Sequence, residues 1–409
     1  MKEHYYLDNA ATTWPKPEAV YTTMDRFFRD YGVNPGRGGH ELAVEAEKMV
    51  TQTRRLLAEF FNYGGDPSRV VFTQNATDSL NMALYGLLGA GDHVVTTRLE
   101  HNSVLRPLNH LERDHGVRVT YVGRDSQGYV DPEDVRRALT PETKLIVINH
   151  ASNVLGSVQD LSAIGKIART ADVLLIVDSC QSAGVLPIDA DGVGIGVLVF
   201  TGHKGLFGPM GIGGMIVREG VDIQPSRVGG TGVDSLAPFQ PDKYPYHLEA
   251  GTLCLPGIAG INAAQKWFAE LGRQHAGTTP QPLSHTEACR VAQRHIEERE
   301  RSHVQRLAAA FNDLEGVTVY GPSANQPRVA TLSINIDGVS AEQVGAMLDA
   351  DYHVCVRTGL HCAPLVHQDE STVEQKGTVR FSPGYFTEDD DIDQVIEGVS
   401  ELVGLLVRA

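Results

Sequence analysis

The residues to start from are those that are costly to place and reactive once placed. Lys204 stands just after the apolar run Val197–Thr201 and just before Gly205-Leu206-Phe207-Gly208-Pro209-Met210-Gly211. An amine in a desolvated site has a lowered pKa and can form a Schiff base with a carbonyl compound. Taken alone, a solvated lysine in a turn is the commoner case. Asp178 ends the most apolar run of the chain, Val173–Val177. An acid there needs a cationic partner, such as a pyridinium nitrogen, unless it caps a neighbouring helix. Thr77 follows Thr73-Gln74-Asn75-Ala76 at a helix start, where hydroxyls and free backbone N–H groups bind phosphate or cap the helix. Thr201 and His203 place further donors beside Lys204. The cysteines are 180, 254, 289, 355 and 362, an odd number with no Cys-x-x-Cys pair. They read as reduced thiols, with at least one present for its reactivity.

Something must bring these positions together. From about residue 70 to 217 β-rich runs alternate with helical stretches, at Val70–Thr73, His93–Thr97, Val117–Val122, Lys144–Asn149, Val173–Asp178, Val197–Thr201 and Gly214–Val217. That alternation predicts an α/β fold with a mostly parallel seven-stranded sheet covered by helices. Ligands bind at the carboxyl ends of such strands. The segments there are Asn75–Asp78, Glu100–Asn102, Asn149–Asn153, Asp178–Gln181 and Thr201–Lys204. The C-terminal part predicts a smaller α+β domain. It has a helix over 284–314, strands at Val317–Tyr320, Val329–Ile334, His353–Val356 and Thr378–Ser382, and a last helix with an N-cap at Thr387. A loop holding Gly277, Pro280 and Pro282 separates the two parts. The expected division is a large domain over 15–265 and a small domain made of 1–14 and 266–409.

Composition narrows the field. The 409 residues are 42% apolar and 21% charged, ordinary values for a globular chain. A formal charge of −16 repels phosphate backbones, so no nucleic-acid partner is expected. No apolar stretch approaches the ~20 residues that span a bilayer. A membrane partner is therefore not expected, and a cytoplasmic location is.

A lysine Schiff base, an acid for a pyridinium nitrogen and a phosphate cup together describe a site for pyridoxal 5′-phosphate. The wording of the chain is similar to a family. Tyr6–Thr13 (YLDNAATT), His150–Gly156 (HASNVLG), Val177–Ser182 (VDSCQS), Thr201–Lys204 (TGHK) and Glu249–Thr252 (EAGT) resemble the class V aminotransferase-like enzymes of the fold type I pyridoxal phosphate transferases. Arg357–Ala363 (RTGLHCA) resembles the cysteine motif of group II, SufS-like cysteine desulfurases and selenocysteine lyases.

The resemblance implies roles. Lys204 would hold the cofactor and move protons, Asp178 would pair with the ring nitrogen, His101 would stack on the ring, and Gln181 would reach the ring hydroxyl. Thr77, Thr201 and His203 would hold the phosphate, and Thr252 would reach the phosphate of a second subunit, which implies a homodimer. Arg380 would clamp the substrate carboxylate, with Asn153 and Arg357 on the substrate side. Cys362 would take sulfur from L-cysteine as a persulfide, leave L-alanine, and pass the sulfur to an acceptor protein. Arg357 and His361 would favour the thiolate. L-selenocysteine is the alternative substrate. A β-lyase, an aminotransferase or a non-catalytic chain of the same fold are the rival readings. The chain departs from the pattern in having three residues between Lys204 and Gly208-Pro209, and Leu360 before His361. His353, Cys355, His361, Cys362 and His367 lie close together, but their spacing fits no common zinc pattern, so no metal is expected.

Overall fold

A computed structural model describes residues 4–35, 39–278, 281–323 and 325–406. In chain order the strands are β1 (Tyr5–Tyr6), β2 (Val70–Thr73), β3 (His93–Thr97), β4 (Arg118–Val122), β5 (Thr143–Asn149), β6 (Leu174–Asp178), β7 (Val197–Thr201), β8 (Gly213–Val217), β9 (Val317–Tyr320), β10 (Leu332–Ile336), β11 (Val354–Cys355), β12 (Arg357–Gly359) and β13 (Thr378–Phe381). β2 to β8 form one seven-stranded sheet in the order β2-β8-β7-β6-β5-β3-β4. β7, β6, β5, β3 and β4 are parallel, and β8 runs antiparallel to both its neighbours.

The continuous apolar runs follow from burial on both faces. Alternate residues of β5 and β6 enter opposite cores. Ile146, Ile148, Leu175 and Val177 pack on one side, and Leu145, Val147 and Ile176 on the other. Register then sets the site, because Asn149 lies opposite Asp178 and Asp178 opposite Val199 at the carboxyl edge.

The C-terminal part builds an antiparallel sheet, β12-β13-β10-β9, with its own core of Leu332, Ile334, Val379, Phe381 and the apolar stripe of the last helix, Asp389–Leu406. Two strands differ from expectation. The run His353–Val356 shortens to β11, which pairs with β1 and not with the sheet, and a further strand, β12, follows it and joins β13. The strand expected from Val329 begins at Leu332, because the Val329 amide instead bonds the Gly156 carbonyl at 2.9 Å. Thr387 does not cap the last helix. Its hydroxyl accepts from the Gly384 amide, and Asp391 takes the Glu388 amide instead.

Helix His285–Asn312 joins the two parts. Its first half packs in the large core through Ala288, Ala292 and Ile296, and its second half in the small core through Val304, Leu307 and Phe311. Ser284 and Glu287 start it with a reciprocal capping box. The expected loop lies before it, with Pro280 outside the described residues. No described helix is long and apolar enough to cross a membrane.

Candidate active site

A cavity of about 240 Å³ opens at the carboxyl edge of the large sheet. It is lined by Thr77, His101, Asn153, Asp178, Gln181, Thr201, His203 and Lys204 from the large sheet side, and by Arg357, Cys362 and Arg380 from the small one. Thr252 is not among them. It lies exposed on a separate cavity of about 850 Å³ with Gly230 and Glu249. Its segment is fixed there by Glu249, which is buried, forms a two-pronged ion pair with Arg54 and accepts the Phe72 amide.

The backbone after β7 makes the lysine turn. The Gly208 amide returns to the Gly202 carbonyl, and the Phe207 amide to the Lys204 carbonyl, each at 2.8 Å. Gly184 has φ 94°, and a Cβ on it would lie 1.9 Å from the Gly205 carbonyl oxygen, so only glycine lets this turn close. From the far side Thr12 and Lys16 donate to the His203 carbonyl, and Thr13 to that of Lys204. Burial pushes the Lys204 amine below its ordinary pKa; Cys180 and Asp178 oppose the shift, and Arg380 and Arg357 add to it. More of the amine is therefore neutral and nucleophilic. Burial likewise holds His203 at about 4 and Lys16 at about 7.

Asp178 is buried and accepts the Cys180 amide at 2.9 Å. Gln181 is fixed by its bond to the Ala10 carbonyl at 3.0 Å. His101 caps helix Asn102–His115, and its Nδ1 accepts the Ser103 amide at 3.0 Å. That bond puts the ring proton on Nε2. Burial, then Lys204, holds His101 at about 4, so it is neutral at pH 7.

At the other end, helix Ala76–Leu87 is capped by Asn75, whose side chain accepts the Asp78 amide. Thr77 is thus not the cap, and its hydroxyl stays beside first-turn amides that have no intrahelical acceptor. Thr201 Oγ1 and His203 Nδ1 are buried with no partner among the described residues.

Cys362 sits on the short connection between β12 and helix Pro364–Asp369. His361 and Cys362 both have positive φ, 46° and 57°, which costs about 1–3 kcal/mol each for non-glycine residues. Contacts from the edge of the seven-stranded sheet hold them. Asn153 donates to the His361 carbonyl at 2.6 Å and the Asn102 amide to the Cys362 carbonyl at 2.7 Å. Arg98 grips Asp369 with a two-pronged bond, and Arg124 pairs with Glu370 at 2.6 Å. One expectation fails here. His361 is buried and held well below its ordinary pKa, so it is neutral and supplies no charge to favour a thiolate. Cys180 packs against the core under the sheet and also lines the cavity, with its thiol pushed up by burial. Ser103 also lines the cavity, a residue that lies outside the strand-end segments and motifs singled out in the sequence.

The aminotransferase class-V family profile matches residues 5–287 and 290–395. The chain belongs to that family. A probable cysteine desulfurase of Methanothermobacter thermautotrophicus is 32% identical over 99% of this chain and 96% of its own. The cysteine desulfurase IscS of Photorhabdus laumondii is 30% identical over 99% of this chain and 94% of its own. Among solved structures, the cysteine desulfurase of Thermococcus onnurineus in its apo form superposes with a TM-score of 0.87 at 30% identity, covering 98% of this chain and 95% of its own. Together with the mostly parallel sheet this establishes the fold type I architecture expected from the sequence.

Proposed function

We propose that this chain is a pyridoxal phosphate-dependent cysteine desulfurase that converts L-cysteine to L-alanine and takes the sulfur onto Cys362. The observation that carries the reading is one cavity lined by both the Lys204 amine and the Cys362 thiol. The donor set fits the cofactor. Thr201 Oγ1 and His203 Nδ1, buried without partners, sit with Thr77 and the first-turn amides where a phosphate would be held. Asp178 offers a buried carboxylate to a ring nitrogen, Gln181 lies beside it for the ring hydroxyl, and His101 offers a face for stacking. When bound through Lys204, the cofactor supplies an electron sink that acidifies the amino acid's Cα–H.

The chain's own groups do the rest. Arg380, with Arg357 and Asn153 nearby, orients the substrate carboxylate. The neutral Lys204 amine, once released by substrate, takes the Cα proton and returns one to the carbon skeleton. His101 Nε2–H holds a proton at the cavity without changing charge. Cys362 sulfur bonds the substrate sulfur as the Cβ–S bond breaks. The bonding pair stays with carbon, which is protonated to alanine, and Cys362 is left as a persulfide.

Finer features belong to the same proposal. The four residues between β12 and helix Pro364–Asp369 give Cys362 little reach, which supports the group II, SufS-like subgroup and an acceptor protein that comes to the cysteine. L-selenocysteine fits the same clamp. A homodimer is supported by Thr252, remote from its own cavity, and by exposed Val228, Leu236 and Phe239 in the same stretch. A cytoplasmic location is supported by five unpaired cysteines. The division at 15–265 against 1–14 with 266–409 is supported by β1 pairing with β11, while helix Leu255–His275 runs through its boundary.

Incubating the loaded enzyme with L-cysteine, alkylating it and mapping peptides by mass spectrometry tests the assignment. A sulfur-bearing adduct on Cys362, absent in Cys362→Ser, is expected; an adduct on Cys180 would refute it.

A further inference from the structure

The register of β12 with β13 places Arg357 directly opposite Arg380. Like charges in that position repel, and Arg380 is buried, so its guanidinium needs a counter-charge. Among the described residues the acid paired with Arg380 is Asp8, at 2.9 Å from one terminal nitrogen, while the Asn153 carbonyl takes the other at 3.0 Å. No carboxylate pairs with Arg357 among the described residues. Two cations and one anion leave one positive charge, the complement of one carboxylate.

Asp8 is itself fixed. It bridges to Ser382, two residues beyond Arg380, and its carbonyl accepts the amides of Ala11 and Thr12. The same segment then reaches the lysine turn, where Thr12 and Lys16 hold the His203 carbonyl and Thr13 that of Lys204. One short stretch of chain thus spans the carboxylate clamp and the amine. In an α-amino acid the amino and carboxylate groups share one carbon, so the spacing of clamp and amine must match a fixed distance.

We propose that Asp8 is a positioning residue for the substrate carboxylate, aiming the Arg380 guanidinium. This rests on the reading of Arg380 given above. The test titrates the cofactor-loaded enzyme with L-alanine and with L-alanine methyl ester, following cofactor absorbance. Asp8→Asn is expected to weaken L-alanine about tenfold, as for loss of one charge-assisted hydrogen bond, and the ester less than about twofold. Asp8→Glu, which keeps the charge on a longer arm, recovers part of the loss; it is titrated alone if Asp8→Asn does not retain cofactor, with a loss confined to L-alanine expected. Equal loss for acid and ester, or no loss, overturns the proposal. Arg380→Lys is run beside it. If that variant also treats acid and ester alike, the reading of Arg380 fails; if it discriminates and Asp8→Asn does not, only the role of Asp8 fails.

Discussion

The turn that carries Lys204 is closed by its own main-chain hydrogen bonds and fastened by side chains from the N-terminal segment. Its own amides close it, Gly184 admits it, and Thr12, Thr13 and Lys16 fasten its carbonyls. The connection that carries Cys362 is held by the Asn102 amide and the Asn153 side chain, with Arg98 and Arg124 gripping the end of the helix after it, and it keeps two residues in the left-handed region. Burial follows the same division: the amine is enclosed and its pKa depressed, whereas the thiol is exposed. A nitrogen that must become neutral profits from desolvation, and a sulfur that must be handed on profits from access. The fold encloses the first and leaves the second accessible.

That contrast is open to attack at each end. Gly184→Val places a branched side chain where even a Cβ meets the Gly205 carbonyl. It should cost more than about 4 kcal/mol and remove cofactor binding altogether, read as lost visible absorbance. Retained absorbance would mean that the turn does not need the close approach at Gly184. Arg98→Ala removes a half-exposed grip on Asp369, worth about 1 kcal/mol after solvent screening. Sulfur release should fall about fivefold with cofactor absorbance unchanged. A change in absorbance would show that the two regions are not separate.

The smallest effect concerns the helix that joins them. Glu300 lies on it, lining a small cavity behind Lys204 and Gln181, and burial pushes its carboxyl up to about 8. The folded chain therefore keeps a proton that the unfolded chain releases near pH 4.3. Stability must fall as pH rises from about 4 to about 8 through this group. Glu300→Gln should remove that slope, raising Tm by roughly 2 °C or more at pH 8 relative to wild type and by less at pH 5. An equal shift at both pH values would show that the carboxyl is charged in the fold.

The large sheet is legible in the sequence because its central strands are buried on both faces, which makes the runs at Leu145–Ile148 and Leu174–Val177 unbroken. Once the sheet is known, Asp178, His203 and Lys204 are legible too, since strand ends converge. The pairing of the strand in His353–Val356 was not, because β11 answers to a partner at the opposite end of the chain. Nor was the neutrality of His361, which depends on burial under Thr378 and the strand after it. Asp8 was visible as part of a motif, but its bond to Arg380 spans the whole chain and has no local sign.

The central claim is that Lys204 is the amine that carries the cofactor. Lys16 is its natural competitor, since burial pushes its amine down to about 7 beside the same turn. Reducing the loaded enzyme with borohydride and mapping the cofactor-labelled peptide decides between them. The label is expected on Lys204 and should be lost in Lys204→Ala; a label on Lys16, or on no lysine, would show that Lys204 does not carry the cofactor.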